Sequence, residues 1–306
     1  MEMFTHKTLP LSDFASQVGS ELLRNAQVSF AAKLPYDLPN RIVPCIDQQN
    51  IRKATATTGV VALIAPSKYA DSVPLETGLC LAADPIRTAL ELHELLSEIP
   101  DFQWRSFPSE ISETALVHPT AFIAERDVTI GPHVRIGPKA MVFPRSVIGA
   151  DSSIGPGSVV GCDAFQVIKS TSTQRIIKQS GGVRIGRAVD IQSNCTISRA
   201  IFGGFTEIGD ETLLDSQVHV GHDCKVGKKV LITNQVSLAG RVHVEDGVYI
   251  GPNATVSNGV TLKAGSQVTI GSVVLRDTLQ GQKVTGYNAL QHDQWMLQTI
   301  RSMKRK

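Results

Sequence analysis

Aromatic residues are scarce: ten Phe, four Tyr and two Trp stand among 306 residues. A core built around large rings is therefore excluded. Since 42% of the chain is nonetheless hydrophobic, the core must come from Val, Ile, Leu and Ala. Charge is also thin, at 19% of residues, which excludes a coiled coil and a disordered acidic chain. Thirty Lys and Arg against 28 Asp and Glu leave +2, so total charge makes no case for a nucleic-acid partner. The five cysteines (Cys45, Cys80, Cys162, Cys195, Cys224) are scattered and form no CxxC pair. They read as reduced thiols rather than a disulfide framework. No basic run followed by an apolar stretch opens the chain, so no signal peptide is read there. The longest apolar stretch, Gly59 to Pro66, falls far short of the roughly 20 residues of a transmembrane helix. The expectation is a cytoplasmic chain without a transmembrane segment.

What the second half has is a repeat. From Ile130 an aliphatic residue recurs every six positions through Ile136, Val142, Ile148, Ile154 and Val160. It resumes at Ile185, Ile191 and Ile197, then runs unbroken from Ile208 to Val268. A period of six fits neither a helix nor a plain alternating strand. It fits a parallel β-helix in which each aliphatic residue points inward. Three hexapeptides make one coil, so residues eighteen apart stack at roughly 4.8 Å, the strand spacing. Gly follows many of these residues, as at Gly131, Gly137, Gly149, Gly155 and Gly161, which suits a turn needing positive φ or close backbone approach. One small aliphatic per short face also explains the scarcity of rings.

Two stretches leave the register, residues 166–182 and 198–207. Both are polar and Gly-containing, and they read as loops that build a site beside the coil. Residues 1–105 carry no hexapeptide pattern, and 1–108 read as a small α/β domain. Within it, Ser12–Ala26 reads as an amphipathic helix with Ser12 as N-cap. Val60–Ala65 reads as a buried strand, Pro85–Ser97 as a helix with Pro in its first turn, and Pro100–Pro108 as the linker. The β-helix is expected over 109–275. The extension 276–306 is expected to hold a helix from Ala289, with Leu290, Trp295, Met296, Leu297 and Ile300 on its apolar side. Its basic end (Arg301, Lys304, Arg305, Lys306) suits either the helix macrodipole or an acidic partner.

The candidate proton-transfer groups of the repeat are His219, His222 and His243. His222 stands at a coil edge, and one coil later, eighteen residues on, lies Gly240. A base beside a backbone N–H is what acyl transfer needs: the base deprotonates the nucleophile and the N–H holds the oxyanion. With Cys224 the three histidines also suggest zinc. However, His219 and His243 share one hexapeptide position and His222 has another, so their side chains should diverge. No metal is expected, and His243 reads as structural.

At this point the sequence can be set beside a family. The segment LLDSQVHVGHDCKVG (213–227), followed by LAG at 238–240 and SNG at 257–259, resembles the LpxD-type UDP-3-O-(3-hydroxyacyl)glucosamine N-acyltransferases of lipid A biosynthesis. VVGCDAFQVI at 159–168, with Phe165, is similar to the stretch leading into the family's substrate-binding loop, and HPTAFI at 118–123 to its entry into the β-helix. VSFAAKLPY at 28–36 and Asp84-Pro85 are similar to N-terminal motifs. The resemblance implies a mainly β chain: a left-handed parallel β-helix with a small N-terminal α/β domain and a C-terminal α-helix. It implies His222 as general base, Gly240 as oxyanion-hole donor and Asp215 as an acidic residue orienting His222 or the amine. It assigns Phe30 and Tyr36 to a uridine pocket and Val273 to a limit on acyl-chain length, and His219 and Phe165 join these as substrate-binding candidates. It further implies a homotrimer, an acyl carrier protein as donor partner, a UDP-amino-sugar as acceptor, no cofactor, and a cytoplasmic location that extends to the inner-membrane periphery.

Two positions depart from the family pattern: Gly259 replaces an expected histidine, and Lys33 an asparagine three residues before Tyr36. Three readings follow. One is N-acyl transfer from acyl carrier protein to UDP-3-O-acyl-glucosamine. A second is transfer from acetyl-CoA or another acyl-CoA to a different nucleotide-linked amino-sugar. The third is a β-helix scaffold without catalysis.

Overall fold

The computed structural model describes residue 5 and residues 7–34, 36, 38–169, 174–286 and 291–303. The hexapeptides form a left-handed parallel β-helix with three faces. The first face runs from Phe122–Ile123 to Val273–Val274, the second from Glu110–Ile111 to Thr261–Leu262, and the third from Leu116–Val117 to Lys283–Val284. Residues eighteen apart pair in register, as Val220 with Leu238 and Leu238 with Val256. The periodic aliphatic residues fill the coil interior. A second inward position, two residues earlier, was not foreseen, and it is small throughout: Val134, Ala140, Ser158, Cys195, Val218 and Ala254. Where it is Ser158, the hydroxyl donates to Gln192 O at 2.6 Å and accepts from Cys195 N at 3.0 Å, so its burial leaves no polar atom unmatched.

The glycines that follow the inward residues serve close approach. A Cβ on Gly131 would lie 2.9 Å from Ala150 N, and one on Gly155 would lie 2.6 Å from the Gln192 carbonyl carbon. Of the five, only Gly161 has positive φ. The left-handed residue comes two positions later, at His133, Lys139 and Asp151.

The N-terminal domain is a five-stranded sheet ordered Glu21–Arg24, Gly78–Leu81, Val60–Ala65, Arg41–Pro44 and Phe30–Ala31. Two helices accompany it: α1 (Gln48–Thr55) and α2 (Pro85–Glu98), the latter capped by Asp84, whose side chain accepts from Arg87 N. The helix expected over Ser12–Ala26 is not formed. Two 3-10 turns, Leu11–Asp13 and Ala15–Val18, stop at left-handed Gly19, and the chain then extends with Leu22 opposite Cys80. Pairing at the sheet edge outweighs the helical spacing of the apolar residues. Pro100–Pro108 is no loose linker, for Phe102 and Trp104 are buried.

Both excursions seat this domain on the coil. Val167–Lys169 and Gln174–Ile176 pair antiparallel. Ile168 and Ile177 pack with Phe30, Leu90, Ile201 and Phe202. Both Glu94 carboxylate oxygens of α2 accept from Arg175 at 2.5 Å, and His93 Nε2 lies 3.0 Å from Lys178 O. The β-helix also outruns residue 275, because Lys283–Val284 returns to pair with Gln267–Val268. The last helix, α3, spans His292–Met303 with Met296, Leu297 and Ile300 exposed. Leu290, the Trp295 side chain and Lys304, Arg305 and Lys306 lie outside the described residues. Among the described residues no helix is long and apolar enough to cross a membrane.

Candidate active site

His222 sits on the corner between the strands His219–Val220 and Lys225–Val226. The next residue, Asp223, takes φ 58, a left-handed conformation that aspartate tolerates. This conformation goes with a carboxylate folded back on its neighbour: Asp223 Oδ2 is 2.7 Å from His222 Nδ1. A carboxylate only accepts, so the neutral imidazole carries its proton on Nδ1 and leaves Nε2 free as a base. Both side chains are largely shielded from solvent. Asp223 is held further by Ile201 N on Oδ1 at 3.3 Å and by Tyr36 Oη on Oδ2 at 2.9 Å.

The stacking expected from the sequence is present. The imidazole lies over the Gly240 Cα, and a Cβ built there would overlap Nε2 and Cε1. Glycine is thus needed for room, a reason the spacing alone did not give. Arg241 N donates to His222 O at 2.7 Å, tying the two corners together. Equivalent corners explain why the Gly240 N–H is open. At Pro132, Pro138, Pro156 and Pro252 there is no N–H to offer. At Arg187 and Lys228 the N–H is taken by the aspartate one coil on, Asp210 or Asp246. One coil on from Gly240 stands Asn258, whose Oδ1 is held by the Arg241 guanidinium. Among the described residues, nothing accepts from Gly240 N.

A cavity of about 430 Å³ opens beside this corner, between Tyr36 and Leu38 of the N-terminal domain and the Asp223, Arg241, His243 and Gly259 side of the coil. Gly259, where a histidine was expected, has open space where a Cβ would be. Burial and the nearby Arg241 guanidinium hold the Lys33 ammonium below its usual range. Burial and the Asp223 charge push the Tyr36 phenol above its own, so it stays a neutral donor. Burial, then the neighbouring His222, lowers His219.

The remaining expected residues scatter. Asp215 stands on a different corner, between the third and first faces, and its Oδ1 accepts from Ser216 N at 2.7 Å. It does not touch His222; the orienting carboxylate is Asp223, whose adjacency to the histidine was the signal available in the sequence. Phe30 is 2% exposed within the packed boundary of the two domains and offers no face to a ligand. Phe165 is 81% exposed on the excursion and lines no part of the cavity. His219 and Val273 share the outer column of the first face, with Ser237 and Thr255 between them. Cys224 points into the coil, its Sγ 3.1 Å from Ala239 O and its thiol pushed up to about 12 by burial, so it does not meet the histidines. His243 lies on the second face, away from His219 on the first.

Part of the coil matches a known repeat. Residues 127–162 match the family model of the bacterial transferase hexapeptide (six repeats). Among curated relatives, the acyl-[acyl-carrier-protein]–UDP-N-acetylglucosamine O-acyltransferase of Thermodesulfovibrio yellowstonii is 35% identical over 145 residues, covering 45% of this chain and 56% of its own. UDP-3-O-acylglucosamine N-acyltransferase 2 of Legionella pneumophila is also 35% identical over 145 residues, covering 47% of this chain and 42% of its own. The chain thus spans about half the length of these relatives. Among solved structures, the UDP-N-acetylglucosamine acyltransferase of Francisella novicida is 27% identical with a TM-score of 0.41, covering 58% of this chain and 67% of its own.

Proposed function

We propose that the chain is an N-acyltransferase that moves a 3-hydroxyacyl group from acyl carrier protein to the 2-amine of a UDP-linked 3-O-acylglucosamine. The observation that carries this reading is the His222 imidazole, oriented by Asp223 and packed on Gly240, whose N–H has no partner among the described residues. The amine attacks the thioester carbonyl while His222 Nε2 takes a proton from it. Gly240 N–H stabilises the oxyanion as the C–N bond forms. The C–S bond then breaks, and the imidazolium returns its proton to the departing thiolate. This chemistry calls for no cofactor beyond the thioester itself. The similarity to curated N-acyltransferases supports the acceptor, and the continuous outward column from His219 to Val273 supports an acyl chain lying along the first face. The enzyme works in the cytoplasm as a homotrimer, with α3 meeting the acidic carrier protein.

A second reading, transfer from acetyl-CoA or another acyl-CoA to a different nucleotide amino-sugar, draws on the open space at Gly259 and on the charge of Lys33. Turnover of the purified protein with UDP-3-O-acylglucosamine and either 3-hydroxyacyl carrier protein or acetyl-CoA separates the two. The first reading expects turnover with the carrier-bound donor. It also expects His222→Ala to lower kcat by on the order of 10²–10⁴, the span of general-base catalysis. Equal rates for mutant and wild type overturn the mechanism, and turnover with acetyl-CoA alone overturns the donor.

A further inference from the structure

We infer that Tyr36 is a positioning residue for the His222–Asp223 pair, so that the small N-terminal domain completes the active site of its own chain. Asp223 Oδ2 receives two donors at once, His222 Nδ1 at 2.7 Å and Tyr36 Oη at 2.9 Å. Tyr36 lies 187 residues from Asp223 in sequence, so one donor comes from the coil and the other from the N-terminal domain. The phenol is the donor here, because the carboxylate can only accept and because burial, then the Asp223 charge, keeps the phenol protonated. Its ring is fixed as well, edge-on to Phe202 of the excursion at 5.0 Å. Phe202 in turn meets His93 of α2 at 4.9 Å, so the same packing that seats the domain aims the hydroxyl. Ile201, beside Phe202, supplies the N–H on the other carboxylate oxygen. Without these two donors the left-handed corner alone would have to hold the carboxylate in the plane that fixes the imidazole tautomer. The assignment differs from the uridine-pocket role the family resemblance implies for Tyr36, in which the ring and not the hydroxyl would matter.

Tyr36→Phe separates the two roles, since it keeps the ring and removes only the hydroxyl. The spectroscopic arm uses the ligand-free protein and is independent of any activity. The low-field proton resonance of His222 Nδ1–H, assigned by its loss in His222→Ala, is expected to move in Tyr36→Phe and to vanish in Asp223→Asn. The kinetic arm rests on the acyl-transfer reading. Loss of one neutral hydrogen bond is expected to lower kcat about three- to tenfold, with the acceptor KM little changed. An unmoved resonance in Tyr36→Phe overturns the proposal whether or not turnover is found. So does an unchanged kcat in that variant together with a raised KM only in Tyr36→Ala.

Discussion

One methyl group is enough to probe the His222 corner. Gly240→Ala keeps its backbone N–H but places a Cβ where the imidazole lies. It is therefore expected to displace the base rather than the oxyanion donor, lowering kcat by on the order of 10² or more. Gly240 is not left-handed, so the backbone accepts alanine without strain. Thermal unfolding should accordingly change little, and steady-state rates beside a melting curve check both statements. At this scale the sequence was legible where the repeat did the reading: eighteen residues separate His222 from Gly240, and the coil turns that number into contact. The carboxylate that meets His222 was not legible. The family resemblance implies Asp215 as orienting His222 or the amine, whereas the coil puts Asp215 on another corner and Asp223 beside the imidazole. Tyr36 reaches Asp223 only through the docking of two domains, which no local pattern encodes.

The docking elements, α2 and the paired strands Val167–Lys169 and Gln174–Ile176, carry a pH dependence of their own. His93 is fully buried, and burial lowers it to about 4 from 6.5. Its Nε2 faces a carbonyl, so that nitrogen holds the proton of the neutral ring. A histidine lowered in the folded state is protonated more readily in the unfolded one. Its contribution is therefore complete above pH 6.5 and is lost progressively as pH falls toward 4. The loss is about 3 kcal/mol at most. Thermal unfolding of wild type and His93→Gln at pH 7.5 and 4.5 tests this: the wild type should lose more on acidification, and equal losses would discard the assignment. The element expected over Ser12–Ala26 failed for a related reason. Its apolar spacing was real, but its partner, Cys80 on a distant strand, was invisible in the local window. Pro85–Ser97 succeeded because its cap and its proline lie inside the helix's own first turn.

At the scale of the molecule, the coil keeps columns of apolar residues in the open: Phe122 and Met141 on the first face, Leu213, Leu231 and Tyr249 on the third. Contiguous apolar exposure of this kind is the surface that the proposed homotrimer would cover. Light scattering on the purified protein is expected to give three times 33.0 kDa, and a monomer mass at micromolar concentration would remove the trimer from the proposal. The β-helix was the most legible part of the chain because a six-residue period is written directly in the residues and needs no partner to be seen. The domain boundary was not, because the departure near residue 275 is a detour that closes again at Lys283–Val284. The open N–H at Gly240 has a wider meaning. Every coil offers the same corner, and proline or a neighbouring aspartate silences the donor at several of them. In such a solenoid a reaction centre is less an edifice than an address. A histidine on one rung, with an unguarded glycine on the next, is enough to write it, and the same two letters on another pair of rungs would move it along the molecule.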